Sequence, residues 1–288
     1  MSEVAAPLST AVNRLWLPRL SLSACVRGVM ARDTRGVELS DEQRLNRFPA
    51  SPLCSLSWWF HGESRMLDFD LPPGAGRPMP GRFVFSGPHR VPTQSWCPGP
   101  AHAMMLVLLP DALHHLIGLD AERWVNRIVD AAEVLPPEWM ALCEAVQGAP
   151  GDEARVRLIE EFLDPRWQAA RPAQAMSAHR YADWAQGLAL RAATSSAGRS
   201  LRQVERRIKQ WAGQPMRELR GMARAEKAFF DALAAAPDAD WAGIAVEGGY
   251  ADQAHLCRET RRLTGFAPVE LRRRIAEDES FWAYRLWG

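Results

Sequence analysis

Two groups of side chains in the last third of the sequence have the types and spacing to contact nucleic acid. Arg202, Glu205, Arg206 and Lys209 fall on one face of a helical repeat, and Gln253, Cys257, Arg258 and Arg261 fall on the corresponding face of another. Guanidinium groups bond guanine O6 and N7, a Gln amide suits adenine, a Glu carboxylate accepts from cytosine N4, and any cation neutralises phosphate. The two groups belong to one repeated pattern. Shifted by 52 residues, Ser200 falls on Asp252, Val204 on Leu256, Arg206 on Arg258, Trp211 on Leu263, Gly213 on Gly265, and 218–220 on 270–272.

The elements that must position these groups follow from the residues around them. Ser200 and Asp252 are N-cap types that start a helix. Gly213 and Gly265 are stop signals, and Pro215 and Pro268 forbid continuation. Val204, Ile208 and Trp211 make an apolar stripe in the first helix; Leu256 and Leu263, flanking Thr260, make one in the second. Upstream of the second helix, residues 241–250 read as a short helix ended by glycine, with Gly249 free to take the positive φ of a tight turn. Helix, glycine turn and capped helix form a helix-turn-helix pattern. An Arg-rich helix face is also what an ordinary solvated surface looks like, so the pattern alone leaves both readings open.

The stretch containing Ala245, Gly249, Tyr250, Asp252, Gln253, His255, Leu256 and Arg258, continued by Gly265, Pro268, Leu271 and Arg272, closely resembles the second helix-turn-helix signature of the AraC family of bacterial transcription regulators. Residues 200–213 resemble that family's first recognition helix and 217–233 its long connecting helix. The resemblance covers roughly 178–275. It implies that the exposed N-terminal half of each recognition helix enters the major groove, placing Arg202, Glu205 and Arg206 of one, and Gln253, Ala254 and Arg258 of the other, near bases. Lys209 and Arg261 lie beside them, and His255 is read as a packing or phosphate contact. The helices would occupy successive grooves about one turn, ~34 Å, apart. The implied partner is double-stranded promoter or operator DNA. A small-molecule effector and RNA polymerase are further partners the resemblance allows, with the chain a monomer or a homodimer. Thr260 departs from the family's aromatic core position, and Ala267 replaces its usual Ser or Thr before Pro268, removing a cap. The glycine of the first unit's turn, Ala197 and Gly198, sits one residue later than Gly249 in the second.

The preceding chain reads differently. Short apolar or alternating runs at 53–61, 66–71, 82–86 and 103–109 are separated by Pro/Gly clusters, the pattern of a small antiparallel β structure. Eight prolines between Pro72 and Pro100 belong in turns and edges. The first fifty residues, where Leu15, Leu17, Leu20 and Leu22 alternate loosely, read as weakly structured or edge-like. Helical patterns follow at 111–118, about 120–129, 137–147 and 152–163. Residues 1–165 hold 15 Arg against 20 Asp/Glu, whereas 199–275 hold 15 Lys/Arg against 10 Asp/Glu, so a basic C-terminal module follows an acidic N-terminal one. The predicted fold class is α+β in two domains: a β-rich N-terminal sensing or dimerisation domain with trailing helices (1–163), a linker (164–178), an all-α double helix-turn-helix domain (179–276) and an aromatic tail (277–288). The tail, with Phe281, Trp282, Tyr284, Leu286 and Trp287, is too aromatic to be free in solution; folding back onto its own domain and docking a partner both fit.

The N-terminal half also loosely resembles the β-rich half of a subset of such regulators, from Phe48 through Trp58, Trp59 and Gly87 to Leu109 and Gly118, and names no ligand. Trp58, Trp59, Phe60, Phe83, Phe85 and Trp96 suit either a pocket or a core. His61, His89, His102, His114 and His115 lack metal-ligand spacing, so no metal and no cofactor are expected. Cys54 and Cys97 have no local base or elbow motif, and the five cysteines are too scattered for a disulfide framework or structural zinc. An enzyme is therefore not expected. The alternative is small-molecule binding or metal-dependent catalysis in the β domain, with the helical domain a non-catalytic interaction module. No run of 18 apolar residues occurs, and the first twenty residues lack a signal-peptide pattern. The expectation is a cytoplasmic protein without membrane contact.

Overall fold

A computed structural model describes residues 11–69, 71–173, 175, 180–195, 200–234 and 240–287. Among the described residues there are ten short strands: β1 (Val12–Trp16), β2 (Val26–Asp33), β3 (Leu45–Phe48), β4 (Cys54–His61), β5 (Arg65–Leu67), β6 (Arg77–Pro78), β7 (Phe83–Ser86), β8 (Thr93–Trp96), β9 (His102–Leu108) and β10 (Ile128–Asp130). They form two antiparallel sheets, ordered β1-β2-β9-β4-β7-β10 and β3-β8-β5-β6. Alternation in β4 explains how the larger sheet divides its faces. Cys54, Leu56 and Trp58 point one way with Phe83, Phe85, Met104, Leu106 and Leu108, and all are buried. Ser55, Ser57, Ser86 and Ala103 lie at the alternate positions and face the second sheet. These side chains are too small to fill the gap between sheets, and a cavity remains there. The prolines between Pro72 and Pro100 lie outside strand interiors, apart from Pro78 in the two-residue edge strand β6.

Among the described residues there are ten helices: α1 (Pro110–Ile117), which precedes β10, and then α2 (Pro137–Gly148), α3 (Asp152–Ala170), α4 (Tyr181–Thr194), α5 (Leu201–Ala212), α6 (Met216–Ala234), α7 (Trp241–Glu247), α8 (Gln253–Thr264), α9 (Pro268–Glu277) and α10 (Trp282–Trp287). The apolar face of the larger sheet packs on α2 and α3, where the Trp58 indole donates to the Cys143 carbonyl at 3.2 Å. The same core continues through Trp184 and Leu188 of α4, Ile208 and Trp211 of α5, and Trp282 of α10. The two halves thus share one apolar interior.

Three local expectations are corrected. The first fifty residues are not weakly structured: β2 lies second in the six-stranded sheet between β1 and β9, and six of its eight residues are buried. Its mixed composition hid it, because Arg32 is buried by virtue of a partner rather than by its own polarity. Residues 120–129 do not form a helix. Asp120 caps a 3₁₀ turn over Ala121–Trp124, Asn126 then adopts φ 56°, and the chain enters β10 to pair with β7. Helix α3 runs past the expected 163 to Ala170 with Pro165 inside it, because Trp167, 1% exposed, is drawn into the core on the same face as Ile159 and Leu163.

His89 links the turn before β8 to the sheet. It bridges Ser51 through its backbone, and its Nε2 lies 2.9 Å from the Ser86 hydroxyl. Burial pushes its pKa down to about 4. An unfolded histidine titrates near ~6.5, so below that pH the unfolded chain takes up a proton that the fold refuses. Stability is expected to be complete above that pH and to fall as pH drops from about 6.5 toward 4. Urea titrations of wild type and His89→Gln at pH 7.5 and pH 5 check this: the wild type should lose more stability over that interval, and equal losses would contradict it.

Candidate nucleic-acid interface

The second helix-turn-helix is built by local chemistry throughout. The Asp240 carboxylate accepts from the Ala242 amide at 3.0 Å and starts α7. The turn places Gly249 at φ 74°, and the Tyr250 amide returns to the Ala245 carbonyl at 2.8 Å. Asp252 caps α8 by accepting from the His255 amide at 2.6 Å, an interaction generally worth about 1 kcal/mol. Ile244, Ala245, Tyr250 and Leu256 close over Ala228 and Ala232 of α6, fixing the angle between α7 and α8. Burial pushes the Tyr250 hydroxyl up to about 12, so it stays protonated.

The second helix of the first unit, α5, is bounded in the same way. Ser200 and Gln203 form a reciprocal capping box at the start of α5, and Gly213 ends the helix at φ 73°, as Gly265 ends α8 at φ 86°. The turn residues Ala197 and Gly198 lie outside the described residues. The departures noted in the sequence also have structural counterparts. Ala267 gives α9 no side-chain cap, and the Thr260 hydroxyl bonds back to the Leu256 carbonyl at 2.8 Å.

The nine residues singled out in the sequence are placed as follows. Arg202 and Arg206 are exposed on α5, with Glu205 and Lys209 half-buried beside them. Gln253, Ala254, Arg258 and Arg261 are exposed on α8. Among the described residues, none of the side chains of Arg202, Arg206, Lys209, Arg258 and Arg261 is engaged in an ion pair. His255 is different: its ring stands at 90° to Tyr250 at 5.3 Å, and its Nδ1 lies 3.5 Å from the Ala251 amide, so it braces the turn. Glu259 is also committed, because hydrogen bonds from Arg262 at 2.9 and 3.3 Å hold its carboxyl below the ordinary value. The free cations are thus the ones on the outward faces.

The N-terminal half grips both recognition helices at equivalent ends. At α5, His114 and His115 flank Trp211 at 5.7 and 5.9 Å, and Arg90 donates to the Gly213 carbonyl at 3.3 Å. At α8, the Ala50 amide donates to the Leu263 carbonyl at 2.7 Å, and a Cβ added at Gly265 would meet Phe69 at 3.1 Å. The C-terminal ends are held and the N-terminal halves are left open. Ion pairs cross between the halves, among the described residues Asp111 with Arg191, Arg27 with Glu226, and Arg32 with Glu279. Sequence reading missed all of these contacts, since each joins residues at least 80 positions apart and carries no local signal.

The remaining candidates disperse. Of the six aromatics considered for a pocket, Trp59 lines the cavity; Trp58, Phe83 and Phe85 are core on the helix side. His102 pairs with Asp152 at 3.1 Å. Among the described residues no three His, Cys, Asp or Glu side chains cluster to hold a metal ion. Burial pushes the Cys54 thiol up, well away from thiolate chemistry. The aromatic tail is a 3₁₀ turn over Glu279–Phe281 followed by α10, packed against both halves: Phe281 and Tyr284 sit on Phe266 and Phe229, while the Trp282 indole donates to Asn46 at 2.9 Å. Among the described residues no helix is long and apolar enough to cross a membrane.

Two capped helices ended by left-handed glycines, the second preceded by a short helix and a glycine turn and the two joined by a long helix, define a helix-turn-helix DNA-binding domain. Residues 194–274 match the family model described as a helix-turn-helix domain. The chain therefore carries a helix-turn-helix domain of the AraC type, a module that binds DNA in transcription regulators. Solved structures of ToxT from Vibrio cholerae are similar to it. ToxT from strain O395 is 12% identical, with 79% of this chain and 95% of that one covered at TM-score 0.35. A second crystal form of ToxT is 10% identical, covering 79% and 93% at TM-score 0.36. Unsaturated fatty acid bound wild-type ToxT from strain SCE256 is 10% identical, covering 78% and 93% at TM-score 0.32. No curated protein sequence matches the chain.

Proposed function

We propose that α5 and α8 enter successive major grooves on one face of a promoter duplex. Arg202, Glu205 and Arg206 read one block of bases, and Gln253, Ala254 and Arg258 read the other. Lys209 and Arg261 lie toward the flanking phosphates, while His255 braces the turn that carries α8. The observation that carries this reading is the equivalence of Arg206 and Arg258, exposed and unpaired at the same turn of two helices with the same caps. The connecting helix α6, 19 residues long, spans about 28 Å at ~1.5 Å per residue, comparable to one turn of DNA at ~34 Å.

The regulatory domain extends to the end of α3 at Ala170, a junction follows, and the DNA-binding domain begins by α4 at Tyr181. The protein acts in the cytoplasm as a monomer or homodimer, with RNA polymerase as a further partner. The N-terminal domain modulates binding through a small molecule held between its sheets. Its grip on Gly213 and Gly265 supports this, because any shift of the sheets moves the ends of both recognition helices. Salt dependence tests the electrostatic part. With six or more phosphates contacted, affinity for a duplex should fall roughly a thousandfold between about 50 and 200 mM salt. A flat response would contradict the placement of the cations.

A further inference from the structure

The space between the two sheets is a cavity of about 330 Å³, within the ~300–1,000 Å³ range of small-molecule sites. Its walls come from both halves of the protein. Ser57, Trp59 and Met105 line it from the larger sheet and Met66 from the smaller, while Phe229 of α6 and Trp282 of α10 line it from the DNA-binding half.

The arginines on these walls are already engaged. Four arginines reach the cavity: Arg27, Arg32, Arg44 and Arg272. Arg27 pairs with Glu226 at 3.3 Å, and Glu226 also accepts from the Tyr181 amide at 2.6 Å. Arg32 pairs with the Glu279 carboxylate at 3.3 Å and donates to the Gln43 and Glu279 carbonyls at 3.2 and 3.3 Å. Arg44 donates to the Pro98 carbonyl at 3.2 Å and lies 3.7 Å from Asp41. Arg272 is likewise engaged. His89, the one imidazole in the wall, is neutral at pH 7. An anion entering here would be desolvated without a free partner, or would strip a buried arginine from its carboxylate, and both are costly. An uncharged apolar molecule meets neither cost.

We propose that this cavity takes one uncharged, predominantly apolar molecule of about two fused or linked rings, touching both the β domain and the α6 and α10 helices of the DNA-binding half. The proposal rests on the effector reading above and names the chemical class of the effector. A ligand so placed is sensed by the DNA-binding domain through direct contact.

Two fluorescent probes with the same ring system separate the alternatives on the full-length protein. N-phenyl-1-naphthylamine is uncharged, and 1-anilinonaphthalene-8-sulfonate carries a sulfonate. The expected result is saturable binding of one equivalent of the neutral probe, at least tenfold tighter than the sulfonate. Ser57→Phe, which fills the cavity, should abolish it; Met105→Trp serves if Ser57→Phe does not fold. Glu279→Gln, which leaves Arg32 without its carboxylate, should raise affinity for the sulfonate about tenfold. Equal or tighter sulfonate binding by wild type, no saturable binding of the neutral probe, or binding undiminished in a folded filled variant would overturn the proposal. A chain that selects a DNA motif but binds neither probe overturns this inference alone. A chain that binds the neutral probe but selects no DNA overturns the regulator reading and leaves the cavity assignment standing.

Discussion

Asp111→Ala is expected to lower folding stability by about 3–5 kcal/mol, because it strands a buried cation. Asp111 lies 3% exposed in the first turn of α1. Its carboxylate receives the Arg191 guanidinium and, at 2.8 Å, the Trp184 indole N–H, both from α4. Removing the carboxylate leaves Arg191 charged in an apolar interior and Trp184 without its acceptor. Chemical denaturation of the variant measures the loss. Asp111→Leu combined with Arg191→Met should recover most of it, since the desolvation cost disappears with the charges. A loss below about 1 kcal/mol for Asp111→Ala, the size of a surface ion pair, would contradict the buried bridge between the halves.

Arg206→Ala and Arg258→Ala are each expected to cost about 1–3 kcal/mol on the specific site and to relax preference at one position. The two arginines sit on different helices and share no partner, so the double variant should lose the sum, about 2–6 kcal/mol. Affinity for random duplex should fall much less. Equal weakening on specific and random DNA would reassign both arginines to phosphates.

The parts of this fold that were legible in the sequence are those written in local chemistry. Gly249, Asp252 and Gly265 each act within four residues of themselves, so the second unit could be located from the sequence, although the Asp240 cap of α7 was not read. Ser200 and Gly213 do the same for the first. The β-rich character of residues 53–109 was legible because serines alternate with Cys54, Leu56 and Trp58, and prolines mark the turns. What depends on distant partners was not. Strand β2 carries Arg32 near its C-terminal end and reads as polar until Glu279, 247 residues away, supplies the counter-charge. The region after Leu119 looked helical by its apolar spacing, but pairing with β7 outweighed it. His114 and His115 have no ligand spacing in the sequence, and their contact with Trp211, 96 or more residues away, carries no local signal. For the interface, the residue types and their outward direction were legible, while the grip of the N-terminal half on the helix ends was not.

The central claim is that two recognition helices read two separate blocks of DNA. The most direct test is enrichment of a random-sequence duplex library on the full-length protein at physiological salt, run in parallel for wild type, Arg206→Ala and Arg258→Ala. The account predicts a wild-type motif of two short blocks about one helical turn apart, with each variant losing preference within a different block. A single block, or the same block relaxed by both substitutions, would contradict it.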